Sequence, residues 1–296
     1  MHPSPSGQES TQPSTSPSDP RPALFLTGGA GFVGSALVAR LAQAGWSDVT
    51  LLIRRAGPAM SLPAGWRTVP GDLLASRDWA SAIKPGAIVV HLAALTGKAK
   101  RAEFERVNVA GTAALLEAAR KASARGVVFV SSVAAGYRDK RYAWYAQSKE
   151  RAEALVRDSG LPFTIVRPTQ VMGDGSPVAA ALGRLANLPV PIVFGDGQVL
   201  AQPIAVADLA ERLLAILNEP QTGRTMTVGG PEAVAMRTVI ERLRDPARPK
   251  RTVRSIPIEP LRTVLGLLEP LVGGLLPFTA GQLSAFGNDG AAGASP

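Results

Sequence analysis

The sequence contains no cysteine and only two histidines. The absence of cysteine excludes disulfide bonds and thiolate-ligated metal sites, and His2 and His91 alone are too few to hold a zinc ion. We therefore predict no metal. A chain without cysteine is also compatible with a reducing cytoplasm, where we expect the protein to reside.

Long apolar runs are absent as well. No stretch reaches the roughly 18 consecutive apolar residues that a membrane-spanning helix needs. Residues 1–22 are rich in serine and proline and lack the apolar core of a signal peptide, so we expect them to form a disordered tail.

Aromatic residues are scarce, at 5% of the chain, while the net charge is +9. Positive residues concentrate in 242–254, but no aromatic residue alternates with them as a base-stacking surface would require. We therefore predict no nucleic-acid binding. The basic run either faces solvent or meets an anionic membrane surface.

What the sequence does contain is a regular alternation of short apolar runs with segments of helical period. Near-continuous apolar runs are typical of parallel strands that are covered on both faces. The alternation predicts an α/β fold with a doubly wound parallel sheet, a Rossmann fold. The predicted strands are 23–28, 48–55, 66–72, 87–94, 124–132 and 162–169, and the predicted helices are 32–45, 102–122 and 142–160.

This rhythm becomes irregular after Pro168. We therefore predict a dinucleotide-binding domain over 23–168 and a smaller α+β lobe for a substrate or partner over 169–286, with sheet elements partly shared. The lobe should contain the short strands 189–195 and 224–230 and the helices 206–220 and 233–244. The last residues, 287–296, are expected to form a flexible tail.

The stretch 261–286 is unusually apolar, with Arg262 and Glu269 as its only charges. Pro270, Pro277 and the Gly273–Gly274 pair are expected to break it into short helices. It either packs on the small lobe or, together with the basic run, forms a peripheral membrane or protein contact through 242–286.

A glycine-rich turn, TGGAGFVG, lies between the first predicted strand and the first predicted helix. Gly28 permits the tight turn, Gly31 lets the backbone approach a phosphate, and Gly34 lets the helix pack against the strand. The N–H groups at the start of the helix, including those of Phe32 and Val33, would then bind a diphosphate. The alternative is a tight strand-to-helix turn that binds no ligand.

Arg54 and Arg55 follow the second predicted strand, about where NAD-binding chains carry an acidic residue. A guanidinium at this position would clamp a 2′-phosphate, which favours NADP(H) over NAD(H). The alternative is that both arginines only face solvent. Asp72 and Leu73, after the third strand, are placed to contact the adenine.

Further motifs follow in the same order as in a known family: GDL, VVHLAA, VNVAGT, FVSSVA, YAQSK, IVRPTQVMG and QPIAVADLA. Together with the glycine turn they resemble the extended or atypical branch of the short-chain dehydrogenase/reductase family, the NAD-dependent epimerase/dehydratase proteins. The resemblance covers residues 23 to about 230.

The resemblance implies an NAD(P)-dependent oxidoreductase or epimerase with Ser132, Tyr145 and Lys149 as its catalytic residues. Tyr145 and Lys149 are four residues apart and share one helical face. A neighbouring ammonium should lower the pKa of the phenol, which would let Tyr145 act as the general acid and base. Ser132 would bond the substrate oxygen and Lys149 the nicotinamide ribose, while Ser131 should point to the opposite side.

The resemblance also implies further cofactor contacts along the carboxyl edge of the sheet. Asn108 would bond backbone next to the site, and Pro168 with the backbone through Val171 would line the nicotinamide. His91 is expected to be a buried, hydrogen-bonded residue rather than a catalytic one. The remaining contacts implied are Leu92, Ala93 and Ala94.

The sequence departs from the sugar-nucleotide enzymes of the family at Gln202 and Pro203, where those enzymes usually carry an arginine. We therefore favour a small carbonyl or alcohol substrate, quinone- or lipid-like. Residues 195–213 and 276–289 look like bacterial relatives of the NADPH-binding accessory subunit of respiratory complex I. The alternative function is accordingly a catalytically vestigial, NADPH-binding scaffold or assembly protein. The family often dimerises, so a homodimer is also expected.

Overall fold

The computed structural model describes residues 21–54, 62–249, 251–272 and 279–293. In chain order the strands are β1 (Leu24–Thr27), β2 (Val49–Ile53), β3 (Arg67–Pro70), β4 (Ile88–His91), β5 (Gly126–Val130), β6 (Phe163–Pro168), β7 (Val171–Met172), β8 (Ile192–Phe194), β9 (Leu200–Ala201), β10 (Ile204–Ala205), β11 (Arg224–Val228), β12 (Val234–Ala235) and β13 (Arg254–Ile256). The α-helices are α1 (Phe32–Gln43), α2 (Arg101–Phe104), α3 (Gly111–Lys121), α4 (Trp144–Arg157), α5 (Pro177–Ala186), α6 (Val206–Leu217), α7 (Met236–Arg242), α8 (Ile258–Val272) and α9 (Ala280–Leu283).

Seven of these strands form one sheet in the order β11–β6–β5–β4–β1–β2–β3, and every pair in it is parallel. Leu24 and Leu26 of β1 pack with α1 and α6 on one face, while Phe25 packs with α3 and α4 on the other. Because both faces are covered, the strands are apolar along their whole length. The predicted doubly wound parallel fold is confirmed.

The boundary predicted at residue 168 is not where the sheet ends. β11, expected in the small lobe, pairs with β6 and completes the central sheet, since the register joins Arg224–Val228 to Thr164–Pro168. α6 likewise packs against α1 in the core of the first face. The small lobe therefore consists of the short strand pairs β7–β10, β9–β12 and β8–β13 with helices α5, α7, α8 and α9.

Some residues of both predicted tails belong to the folded body. At the amino end, Arg21 stacks on Trp46, and the Trp46 indole donates to Pro22 O, so these two residues belong to the folded body. At the carboxyl end, Asn288 and Ala291 are buried and Gly290 bridges to Ala201. The prediction of a flexible tail from residue 287 is therefore wrong for 287–293.

Two helix predictions also need correction. The segment expected as one helix over 102–122 contains a π-helical turn, Glu105–Ala110, between α2 and α3. The break expected at Pro270 does not occur, because α8 continues to Val272. Loss of one backbone donor in the last turn of a helix leaves most of its hydrogen bonds intact. Gly273, Gly274 and Pro277 lie outside the described residues.

Candidate active site

The glycine turn lies at the carboxyl end of β1, where α1 begins. Gly28 has φ +78°, and a Cβ there would lie 2.5 Å from the backbone N of Ala93. A Cβ at Gly34 would collide with the carbonyl oxygen of Gly28. Two glycines are thus required by the packing of β1, α1 and the loop after β4, before any ligand is considered.

The start of α1 has the properties of an anion site. Gly31 is its N-cap, no side chain caps the helix, and its first turn holds no acidic residue. The first N–H groups of the helix, those of Phe32 and Val33 among them, therefore lack both an intrahelical acceptor and a side-chain acceptor. Together with the glycine cradle, this arrangement fits the diphosphate of a dinucleotide.

The remaining residues expected at the cofactor line the carboxyl edge of the same sheet. Asp72 and Leu73 follow β3, and Asp72 Oδ1 accepts a 2.9 Å hydrogen bond from Leu74 N. Leu92, Ala93 and Ala94 follow β4 and are half-buried. Pro168 ends β6, and Val171 pairs with Ile204 in the short β7–β10 sheet.

Arg54 directly follows β2 and is exposed. No carboxylate in the part of the chain that the structure describes pairs with it. The guanidinium therefore has no ion-pair partner among those residues, at the position where the sequence predicts a contact with a 2′-phosphate. Arg55 lies outside the described residues.

Ser132 and Tyr145 come together from two elements. Ser132 follows β5, and Tyr145 is the second residue of α4. Ser132 is the side chain that interacts with the Tyr145 hydroxyl, and Ser132 Oγ accepts from Ala134 N at 3.2 Å. Burial raises the pKa of Tyr145, and the hydrogen bond with Ser132 opposes that rise.

Lys149 lies one turn further along α4, and its amino group bonds backbone. Its Nζ donates to the carbonyl oxygen of Val130 at 2.8 Å and lies 4.2 Å from the centre of the Phe129 ring. Burial lowers the pKa of Lys149 to about 7, against the attraction of Glu153. The expectation that this ammonium lowers the pKa of Tyr145 is not met here, because burial dominates at the phenol.

Glu153 was not predicted from the sequence and is the best-connected polar residue at the site. Its side chain is completely buried and accepts from Ser131 Oγ at 2.6 Å and from two nitrogens of Arg167 at 2.8 and 2.6 Å. Burial alone would raise the pKa of Glu153, but the Arg167 and Ser131 hydrogen bonds hold it below its ordinary value. The available signal was its spacing of four residues from Lys149 on the same helix.

Ser131 contacts α4, contrary to the expectation that it points away from it. The strand pleat that would alternate successive side chains ends at Val130, so it no longer separates Ser131 from Ser132. Both serines therefore reach α4, one at Glu153 and the other at Tyr145.

Asn108 connects the loop after β4 to α4. Its side chain accepts from Leu95 N at 2.7 Å and donates to Leu95 O at 3.0 Å and to Ser148 Oγ at 2.9 Å. Ser148 in turn donates to the carbonyl oxygen of Tyr145 at 2.7 Å. Asn108 thus orders backbone on both sides of the site, and both N–H donors of its side chain are used in these bonds.

No helix in the described parts of the chain combines the length and apolarity needed to cross a bilayer. The same residues hold no cluster of three or more His, Asp or Glu side chains suited to a metal ion.

Comparison with known proteins gives consistent matches. The model of the NAD dependent epimerase/dehydratase family matches residues 24–229. A ceramide reductase of Caulobacter vibrioides is 37% identical over 212 residues, which are 69% of this chain and 64% of that protein. A 4-hydroxy-2-methyl-3-oxo-4-farnesyl-3,4-dihydroquinoline-1-oxide ketoreductase of Stigmatella aurantiaca is 30% identical, over 86% of this chain and 81% of its own.

Among solved structures, MoeE5 in complex with UDP-glucuronic acid and NAD superposes with a TM-score of 0.63 at 26% identity, over 82% of this chain and 92% of that one.

Proposed function

Because the chain belongs to the NAD-dependent epimerase/dehydratase family, we propose that it is an NADP(H)-dependent oxidoreductase. It interconverts a carbonyl group and a secondary alcohol on a small, lipid-like molecule. The observation that carries the proposal is the closeness of the Ser132 and Tyr145 side chains at the carboxyl edge of the sheet that holds the glycine turn.

The chemistry divides between the cofactor and the side chains. NADPH held by the glycine turn and Arg54 would supply a hydride for the carbonyl carbon. Ser132 holds the carbonyl oxygen by a hydrogen bond, and Tyr145 gives that oxygen its phenolic proton, so that an alcohol forms and the phenolate is reprotonated from solvent. Because burial raises the pKa of Tyr145, the phenol is protonated at neutral pH, which is the form that reduction of a carbonyl requires.

Lys149 and Glu153 contribute to this chemistry through the nicotinamide ribose and through the position of α4. Protonated Lys149 has three N–H donors, and among the described residues Val130 O accepts from one of them, which leaves the others for the nicotinamide ribose. The network of Glu153 with Ser131 and Arg167 fixes the face of α4 on which Lys149 lies.

The substrate class is supported by the relatives' names and by what the chain lacks. Two relatives at 30% identity or more are named as reductases of a ceramide and of a farnesyl-bearing ring. No arginine stands at Gln202 or Pro203, where a nucleotide sugar would need a cation for its diphosphate. Both points favour a lipid-like carbonyl over a sugar nucleotide.

A lipid-like substrate also agrees with the surface of the small lobe. We define the apolar patch as Ile256, Pro257, Pro260, Leu261 and Val264, which lie together at the start of α8. Arg251 and Arg254 precede it in the chain, are exposed, and have no carboxylate partner in the described ranges. Apolar side chains flanked by unpaired cations favour contact with an anionic lipid surface.

The test is an assay of the purified protein with NADPH and a panel of long-chain ketones, with UDP-glucose as the sugar-nucleotide probe. We expect NADPH oxidation with a long-chain ketone, and we expect Tyr145→Phe to lower kcat by about 10²–10⁴-fold without loss of NADPH binding. Tyr142→Phe is the matched control, because it removes a phenolic hydroxyl three residues away and keeps the ring.

Cofactor preference is read in the same assay. Arg54→Ala should raise the KM for NADPH by about 10–100-fold, since a charge-assisted contact with a phosphate contributes about 1.5–3 kcal/mol, and should leave the KM for NADH unchanged. Arg67→Ala removes another exposed arginine, at the amino end of β3, and should change neither KM.

Other outcomes would favour the alternatives. Turnover of UDP-glucose without net NADPH oxidation would indicate an epimerase. No turnover of any probe by a protein that binds NADPH, with cellular function intact in Tyr145→Phe, would indicate a scaffold.

A further inference from the structure

The loop 137–143 joins the turn after Ser132 to the start of α4. Tyr142 in this loop has φ +61°, a left-handed conformation that is uncommon for a residue other than glycine. Such a conformation persists only where the surroundings impose it. Described residues of 258–272 and 279–293, the last part of the chain, contact this loop.

The first contact is an ion pair between the loop and α8. Arg262 is 2% exposed, and its Nη2 donates to Asp139 Oδ2 at 2.6 Å and to Glu259 Oε1 at 2.7 Å. Arg141, from the loop itself, also donates to Asp139. The hydrogen bonds from Arg141 and Arg262 hold the pKa of Asp139 well below its usual range, so the carboxylate stays charged.

The second contact is made by one amide side chain. Asn288 accepts a hydrogen bond from Asp139 N at 3.0 Å and donates to Asp139 O at 3.0 Å. It also donates to Ser284 O at 2.9 Å, which ties it to the turn after α9. A single side chain thereby satisfies both backbone groups of one loop residue, as a neighbouring strand would.

The third contact is close packing that only glycine allows. A Cβ at Gly266 of α8 would lie 2.9 Å from the Tyr142 ring, and one at Gly281 of α9 would lie 2.7 Å from Tyr142 O. Two helices of the C-terminal segment therefore press directly on Tyr142, three residues before Tyr145.

From these contacts we propose that the C-terminal segment, residues 258–272 together with 279–293, positions the catalytic tyrosine, with Arg262 and Asn288 as positioning residues. Neither touches a reacting atom. They hold the loop 137–143 in the shape that brings Tyr145 to Ser132, so the segment completes the site as well as closing the small lobe. The proposal rests on the proposed function, because it assigns the work of the segment to the Tyr145 hydroxyl.

The tyrosines provide the readout. The chain has three tyrosines, and all of them, Tyr137, Tyr142 and Tyr145, lie in or next to this loop. The full chain labelled with meta-fluorotyrosine should therefore give three fluorine NMR signals, assignable by single Tyr→Phe changes. Each signal therefore reports on the loop 137–143 and its direct neighbours.

We expect Arg262→Met and Asn288→Ala to move or broaden the Tyr142 and Tyr145 signals by more than their line widths. Arg262→Lys should recover much of the wild-type spectrum, since an ammonium can still reach Asp139. Asn187→Ala is the matched control. Asn187 also bridges three backbone groups of the small lobe, Gly183 O, Leu243 O and Asp245 N, but does not touch the loop.

The proposal is overturned if the Tyr145 signal of folded Asn288→Ala matches wild type, or if Asn187→Ala shifts it as much. If Arg262→Met does not fold, Asn288→Ala and Arg262→Lys decide. Adding NADP⁺ to the wild-type protein separates this proposal from the proposed function. An unmoved Tyr145 signal there would contradict the function, whereas the effect of Asn288→Ala would still establish the hold on the loop.

Discussion

His91 lies in the middle of the central sheet with both ring nitrogens in hydrogen bonds. Nδ1 lies 2.7 Å from Thr27 Oγ1, and Nε2 lies 3.0 Å from Thr112 Oγ1. Burial, assisted by the charge of Lys149, lowers the pKa of His91 from 6.5 to about 3. The imidazole is therefore neutral in the folded protein and serves the core rather than the chemistry.

This lowered pKa predicts a loss of stability in acid. As the pH falls below 6.5, the imidazole of the unfolded chain binds a proton, whereas the imidazole of the folded protein stays neutral down to about pH 3. The free energy of unfolding therefore falls across that window. The contribution is about 3 kcal/mol between pH ~6.5 and ~4. His91→Gln should lack this slope in urea unfolding at a series of pH values. Parallel curves for the two proteins would contradict the assignment.

At the same scale, the sequence could predict residues whose partners lie nearby in the chain or whose type is distinctive. The pair Tyr145 and Lys149 was visible from its spacing, and the buried role of His91 from its apolar neighbours. Glu153 was not, because its partners Ser131 and Arg167 come from two other elements that only the fold brings together.

At the scale of elements, α1 shows how closely a helix can approach a strand. Gly34 and Gly183 both lie inside helices, but a Cβ at Gly34 would strike backbone of Gly28 and Gly29, whereas one at Gly183 would meet nothing within 4 Å. The same residue type thus has opposite consequences in α1 and α5.

The matched pair Gly34→Ala and Gly183→Ala tests this difference. Backbone atoms cannot move aside, so Gly34→Ala should tilt α1 away from β1, lower the unfolding free energy by about 1–3 kcal/mol and weaken NADPH binding. Gly183→Ala should raise the unfolding free energy by about 0.5–1 kcal/mol, because alanine is the better helix former, and leave binding unchanged. Thermal melts and NADPH fluorescence titrations measure both; equal effects on binding would rule out the close-approach argument.

Elements were predictable to the extent that periodicity marks them. The apolar runs located β1 to β6, and their alternation with helices gave the topology. The place of β11 was not visible, because a short strand carries no sign of which edge it joins. The π-helical turn Glu105–Ala110 was also hidden, since its residues keep a helical pattern.

At the scale of the whole molecule, charge and apolar surface meet at one end of the small lobe. The chain carries 32 Lys and Arg against 23 Asp and Glu, and the basic run 242–254 leads directly into the apolar patch. Composition alone left open whether this region packs or binds. In the structure, Leu265 and Arg262 of α8 pack inside the protein, whereas Val264 is 51% exposed. One face of α8 therefore packs and the other is open to a contact.

The proposed contact with an anionic lipid surface predicts selective vesicle binding. The protein should co-sediment with phosphatidylglycerol vesicles and much less with phosphatidylcholine vesicles, because each cation near an anionic surface contributes about 1 kcal/mol. The double variant Arg251→Glu/Arg254→Glu should lose this binding, and Val264→Asp should weaken it even at low salt, since it places a carboxylate in the apolar patch. Val178→Asp, at a valine 40% exposed on α5, is the matched control and should bind as wild type does. Binding that ignores lipid charge, or that Val178→Asp reduces as much as Val264→Asp does, would place the contact elsewhere on the molecule.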